Sequence, residues 1–171
     1  VGVKNFFCGP ESFTPDLNPI LGEAPEVKDF WVAAGLNSIG ILTAGGVGRC
    51  LANWITNGLP DDDVTGVNID RFHGYQATPA YRSARVVESL GMVYKAHYPN
   101  YLMQTCRGAK QSPLQARHER QGALFRDVSG WEMPDVYFGP NQAVPDVPLT
   151  WGRPQWFSQW RAEHQACREG V

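Results

Sequence analysis

The chain has 171 residues, 43% hydrophobic and 19% charged, which is enough apolar material for a folded core and too much for a disordered chain. Lys and Arg number 15 against 17 Asp and Glu, a net charge of −2, so nucleic-acid binding by bulk charge is not expected. No apolar run approaches the roughly 18 residues of a membrane-spanning helix, and no membrane partner is expected.

The N-terminal Val1-Gly2-Val3-Lys4-Asn5 has no initiator Met and lacks the layout of a signal peptide. The last periodic segment stops inside a helix pattern. Together these suggest an internal fragment of a longer chain. Four cysteines (8, 50, 106, 167) stand too far apart for a CxxC site and are expected as unpaired thiols in a reducing compartment. His73, His97, His118 and His164 are equally scattered, so no metal site is expected.

In chain order, Asn5-Phe6-Phe7-Cys8 reads as a strand. Phe13 to Leu21 reads as an extended stretch broken by Pro15 and Pro19, suited to an edge or a turn. Phe30 to Ala34 is a continuous apolar run and predicts a buried strand. A glycine-rich turn, Gly35 to Gly48, follows. A helix comes after it, with Val47, Leu51, Trp54 and Ile55 on one face and Asn57-Gly58 as its stop.

Residues 59–75 read as a hinge. Thr78-Pro79 then opens a helix with an apolar stripe of Ala80, Ala84, Val87 and Leu90, ended by Gly91. Met92 to Tyr98 predicts a strand. Ser112-Pro113-Leu114-Gln115 has the form of a capping box with Pro at the first helical position, for a helix running to Gly122. The stretch through Trp131, Tyr137 and Phe138 looks aromatic and irregular. Residues 141–155, with Pro145, Pro148 and Pro154, read as a linker. Beyond them Trp156, Trp160, His164 and Cys167 share a helical face.

Three segments could carry chemistry. In Gly35–Gly48, glycines let backbone N–H groups approach a ligand, and a following helix N-terminus adds partial positive charge. That favours an anion or an electron-rich ring edge. Neither Walker A nor GxGxxG is satisfied: Leu51 stands where the third glycine belongs. Tight helix–strand packing through small residues is the competing reading. In Gly9–Asp16, Glu11 is a lone carboxylate, either a perturbed acid or base, an orienting group for a cationic amine, or part of a capped turn in which Thr14 and Asp16 are ordinary turn residues. The basic run Arg107, Lys110, Arg117, His118, Arg120 either grips an acidic ligand or forms a solvated face or interdomain contact. Trp131, Trp151, Trp156 and Trp160 either stack on a ring or make packing contacts.

Gly9-Pro10-Glu11-Ser12-Phe13-Thr14-Pro15-Asp16-x-x-Pro19-x-x-Gly22-Glu23-x-Pro25 resembles the late flavin-domain segment of sarcosine and dimethylglycine dehydrogenases. Ala34-Gly35-x-Asn37-Ser38-x-Gly40, then Ala44-Gly45-Gly46-x-Gly48-x-x-Leu51-Ala52-x-Trp54-Ile55, and Asp70-Arg71-Phe72 extend the likeness. Arg107, Ser112-Pro113-Leu114, Gly122 and Gly130-Trp131-Glu132-x-Pro134 resemble the family's small central domain. Arg161-Ala162-Glu163-His164-x-Ala166-Cys167-Arg168-Glu169 resembles the opening helix of its aminomethyltransferase-like folate domain.

The resemblance implies a mixed α/β fold: residues 1–75 closing the FAD/substrate domain, 76–140 the FAD-oxidoreductase central domain, 141–155 a linker, and 156–171 the first helix of the folate domain. It implies FAD as cofactor, a methylated amine substrate, and hydride transfer from the N-methyl carbon. The one-carbon unit then leaves as formaldehyde or passes to tetrahydrofolate in a C-terminal domain. An electron-transfer flavoprotein is an implied partner. The compartment would be the mitochondrial matrix in a eukaryote or the cytoplasm in a bacterium. Carried over residue by residue, Gly35, Leu36, Asn37, Ser38, Gly40, Ile41, Leu42 and Thr43 would face the flavin pyrimidine edge, with Glu11 near the substrate side. No other catalytic residue is assigned.

The sequence also departs from the family. The N-terminal dinucleotide fingerprint, the histidine region that tethers the flavin and most of the folate domain are absent, so this chain alone is expected to bind FAD poorly and to catalyse nothing. A non-catalytic relative, the regulatory subunit of pyruvate dehydrogenase phosphatase, resembles the same segment and supplies the alternative of a regulatory scaffold. A third reading is an isolated interaction domain within residues 76–140 with no flavin history.

Overall fold

The computed structural model describes residues 2–146 and 148–170. Val1, Val147 and Val171, which belong to the N-terminal stretch, the linker and the last block, lie outside them. Helices and small antiparallel sheets give the mixed α/β character expected, divided into two compact units, residues 1–93 and 94–171.

In the first unit, β1 (Ile20–Glu23) pairs antiparallel with β2 (Trp31–Ala34), Ile20 opposite Ala34 and Glu23 opposite Trp31. The connection is a tight loop. Ala24 N–H donates to Phe30 O at 2.8 Å, and Asp29, at φ 64°, donates its amide to Glu23 Oε1 at 2.6 Å. The apolar run was expected as a buried strand; instead Trp31 and Val32 are half-buried and Ala33 and Ala34 exposed. A two-stranded ribbon has two open edges and cannot bury both faces of a strand. Residues 5–8 form no strand, and Phe6 and Phe7 are exposed.

α1 (Gly40–Asn57) begins inside the stretch read as a glycine-rich turn, so Gly45, Gly46 and Gly48 are helical. Glycine weakens a helix by about 1 kcal/mol relative to Ala but does not forbid one. Val47, Leu51 and Trp54 turn inward around buried Cys50, while Ile55 is exposed. Trp54 meets Trp31 edge-to-face, centroids 5.5 Å apart. Gly58, at φ 76°, ends the helix as foreseen, donating to Trp54 O at 2.8 Å.

Two 3-10 turns, Ile69–Arg71 and Gly74–Ala77, lead to α2 (Pro79–Leu90). Its start is as predicted: Pro79 opens it and Thr78 Oγ1 accepts from Tyr81 N–H. Its buried face is not. Tyr81, Arg85 and Ser89 face inward, while Ala80, Val87 and Leu90 are exposed and Ala84 half-buried. The apolar stripe misled because α2 packs through a polar network. Met92 to Tyr98 forms no strand: Met92 N–H returns to Ser89 O, and the buried Met92 closes the unit.

In the second unit, α3 (Gln115–Arg120) starts later than the capping-box pattern proposed. Ser112 Oγ accepts from Leu114 N–H, and the Gln115 side chain turns forward to Glu119 instead of back. The helix stops at Arg120, and Gly122, at φ 69°, leads into a hairpin. A Cβ there would lie 2.5 Å from Gly139 O, so glycine is required.

The hairpin is the element the sequence hid: β3 (Ala123–Val128) and β4 (Trp131–Tyr137) joined through Ser129 and Gly130, both at positive φ. A bulge between Leu124 and Phe125, opposite Pro134–Val136, absorbs the proline's missing N–H. Val136 is completely buried. α4 (Phe157–Glu169) lies on this hairpin. Trp160 Nε1 donates to Asp135 O at 3.0 Å, and the buried Trp156 meets Trp160 edge-to-face. His164 and Cys167, expected on the same face, are exposed.

Candidate functional site

The turn between β2 and α1 is held from beneath by a buried polar cluster. Asn37, 4% exposed, accepts Thr14 N–H on Oδ1 at 2.8 Å and donates from Nδ2 to Gly35 O at 2.6 Å. Thr14 Oγ1 donates to Asn18 O, and Ser89 Oγ of α2 donates to Thr14 O at 3.0 Å. Gly35, Asn37 and Ser38 all have positive φ, a conformation that Gly and Asn adopt most readily. A Cβ on Gly35 would lie 2.4 Å from Thr14 Cγ2, so the two segments touch only because that side chain is missing.

This folding sets the amides of the turn. Ile39 N–H donates to Leu36 O, and Thr43 N–H donates to Ile39 O, both at 3.0 Å. The amides of Gly40, Ile41 and Leu42 open the helix without an acceptor among the described residues. No acidic residue stands in that first turn. Three N–H groups and the positive end of an 18-residue helix therefore remain available to an electron-rich partner.

Of the predicted positions, Gly35 and Asn37 are buried; Leu36, Ser38, Gly40 and Thr43 are half-buried; Ile41 and Leu42 are exposed. Glu11 comes to the same place: its Oε2 accepts from Ser38 Oγ at 2.5 Å. Gly45, Gly46 and Gly48 present an open helix surface on which an added Cβ would meet nothing within 4 Å.

Reading the residues one at a time missed the anchors. Thr14 and Asp16, taken as ordinary turn residues, are structural. Arg71, 6% exposed at its side chain, grips Asp16 through Nε at 2.7 Å and Nη2 at 3.1 Å. It also donates to the carbonyls of Asn18, Val67 and Asn68. The signal was the pairing of a Thr-Pro-Asp turn with an Asp-Arg-Phe segment more than fifty residues later, and such long-range pairs have no periodicity to reveal them.

Three members of the basic run are engaged within the chain. Arg107 clasps the buried Glu132 through Nε at 2.8 Å and Nη2 at 2.6 Å, while Gly108 N–H donates to the same carboxylate. Lys110 sits over the Trp131 ring at 4.2 Å. His118 Nδ1 meets Tyr137 Oη at 2.8 Å. Burial pushes the Tyr137 phenol above its usual range, with the Glu163 carboxylate adding to the shift. Trp151 lies against Tyr98, centroids 5.0 Å apart, and Trp156 and Trp160 are spent on α4 packing.

Cys50, Asp61 and Asp62 bring possible ligand atoms within 4.8 Å of one another. Arg49 already pairs with both carboxylates, which accounts for the cluster without an ion. All four cysteines are free, as expected.

Residues 57–112 match the family model described as FAD dependent oxidoreductase central domain. The chain is 43% identical over 170 residues to 4-methylaminobutanoate oxidase (formaldehyde-forming) of Paenarthrobacter nicotinovorans, covering 99% of this chain and 20% of that protein. It is 39% identical over 145 residues to human mitochondrial sarcosine dehydrogenase, 84% of this chain and 16% of that one. It is 35% identical over 164 residues to the mouse mitochondrial pyruvate dehydrogenase phosphatase regulatory subunit, 95% of this chain and 19% of that one. The chain thus spans a fifth or less of the length of these relatives.

Proposed function

We propose that the chain is part of an FAD-dependent oxidoreductase of the kind represented by sarcosine and dimethylglycine dehydrogenases, and that it serves in an enzyme that oxidises an N-methyl amino acid. The observation that carries this reading is the turn at residues 35–43, with three unpaired helix-opening amides beside an open glycine surface. These residues fit a flavin ring edge: main-chain donors with no acidic residue in the first helical turn, followed by open glycine positions at 45, 46 and 48.

When bound, FAD supplies the two-electron acceptor for hydride leaving the N-methyl carbon. The chain's own part is to hold and orient. Gly40, Ile41 and Leu42 would hold the flavin through their main-chain N–H groups. Asn37, locked by Thr14 and Gly35, fixes the direction of those donors before reaction, so no reorganisation is needed as charge develops. Glu11, held by Ser38, orients a cationic amine. Delivery of the one-carbon unit as formaldehyde or to tetrahydrofolate, and reoxidation by an electron-transfer flavoprotein, belong to the same proposal. The mitochondrial sarcosine dehydrogenase favours the mitochondrial matrix for a eukaryotic form, and the proposal places a bacterial form in the cytoplasm.

The test is the visible spectrum of the full-length protein. Bleaching of the flavin band on adding sarcosine, dimethylglycine or 4-methylaminobutanoate supports the reading. The 35% identity to a phosphatase regulatory subunit favours a second reading, a scaffold that keeps the architecture without turnover. A bound flavin that no methylated amine bleaches would select it, and a full-length protein without flavin would defeat both.

A further inference from the structure

A cavity of about 390 Å³ lies wholly within the first unit. That volume is at the lower end of small-ligand pockets, roughly 300–1,000 Å³. Phe13, Ile20, Ile69, Phe72 and Val86 make its walls apolar. His73 and Arg82 are its ionisable wall residues, and no carboxylate lines it among the described residues.

Arg82 differs from the other arginines of the unit. Arg49 is held by Asp61 and Asp62, Arg71 by Asp16, and Arg85 stands 4.0 Å from Glu88. Arg82 is exposed on α2, and its guanidinium has no hydrogen bond or ion pair among the described residues. An apolar hollow is therefore bordered by one uncommitted, permanently charged fork donor.

We propose that this cavity binds an amphipathic monocarboxylate, its hydrocarbon part in the hollow and its carboxylate on Arg82. Guanidinium and carboxylate match as paired donors and acceptors, and the apolar wall rewards a hydrocarbon tail through removal from water. A zwitterionic amino acid fits poorly, because its second charge would face the apolar wall without a partner. The cavity shares Thr14 and Gly35 with the turn described above, but the proposal concerns a different ligand and does not rest on the amine chemistry.

Isothermal titration calorimetry of the whole chain with sodium octanoate, and separately with octan-1-ol, tests this. Octanoate binds, and octan-1-ol binds roughly fivefold more weakly, the scale of one solvent-accessible ion pair. Arg82→Gln, on an exposed position that leaves the fold intact, lowers octanoate affinity to the octan-1-ol level and leaves octan-1-ol unchanged. Val86→Phe fills the hollow and weakens both ligands, with an unchanged circular dichroism spectrum. Absence of octanoate binding overturns the proposal. So does an Arg82→Gln variant that binds octanoate as the parent does, or one that weakens both ligands equally.

Discussion

Arg71 shows how one side chain can decide a local fold. Its guanidinium reaches three carbonyls and the Asp16 carboxylate, tying the segment before β1 to the 3-10 turn more than fifty residues later. Removing it leaves the Asp16 carboxylate without its cation, while Asp16 and the three carbonyls each keep another donor. Because Asp16 keeps 35% of its side chain in solvent, the loss is discounted below the figure for a fully buried pair. Arg71→Met should cost about 2 kcal/mol in urea unfolding, and a loss below about 0.5 kcal/mol would show that water replaces these bonds at little cost. At Tyr137 the consequence depends on pH. The folded state raises its pKa above the unfolded value near 10, so its contribution is fully present below that pH and is lost as pH rises through the folded value. Thermal stability should fall on the alkaline side of pH ~10, and Tyr137→Phe should flatten that limb; an identical alkaline limb in the variant assigns it elsewhere.

Among the elements, those written in local chemistry were legible. Thr78-Pro79 set the start of α2 and Gly58 the end of α1, because caps are decided by neighbours in the chain. What failed depended on distant partners. The stripe Ala80, Ala84, Val87 and Leu90 has the right period, yet α2 turns Tyr81, Arg85 and Ser89 inward because Ser89 must reach Thr14. The β3–β4 hairpin was hidden by Pro134, a residue that argues against a strand until the bulge beside it is seen. The candidate turn was legible as glycines before a helix, but counting glycine as a breaker placed the helix start too late. Gly46 offers a direct check on its role. Gly46→Ala meets no atom within 4 Å and should stabilise α1 by about 0.5–1 kcal/mol. Under the proposed function it should also lower flavin retention by the full-length protein. Retention unchanged beside that stabilisation would mean the open glycine surface serves packing, not the cofactor.

At the scale of the molecule, two units each bury a core of their own, residues 1–93 around Leu21, Cys50 and Tyr81, residues 94–171 around Ala123, Val136 and Trp156. The matched family segment, 57–112, runs through the division at Val93 and Tyr94. Assigning residues 1–75 to a flavin domain and 76–140 to a central domain is therefore a proposal about ancestry, distinct from how the contacts cluster. Unfolding should depart from a single two-state transition. Glu132→Gln, which weakens the acceptor of Arg107 and Gly108, should lower the transition of the second unit by about 3 kcal/mol. Tryptophan fluorescence and far-ultraviolet circular dichroism followed together in urea would separate the steps, and one coincident curve that moves as a whole would argue for a single cooperative block.

The cap at the end of α1 also acts as a clock. Asn57-Gly58 is the dipeptide in which the glycine nitrogen most readily attacks the asparagine side-chain carbonyl, expelling ammonia to form a succinimide that water then opens, and both residues are exposed. While Gly58 N–H is engaged with the carbonyl of Trp54, that nitrogen is held back. Each fraying of the helix end releases it. The product is a carboxylate at the negative pole of the helix, which favours further fraying. Isoaspartate at position 57 should accumulate during mild alkaline storage more slowly in the native chain than in urea, and equal rates in peptide mapping would show that the cap gives no protection.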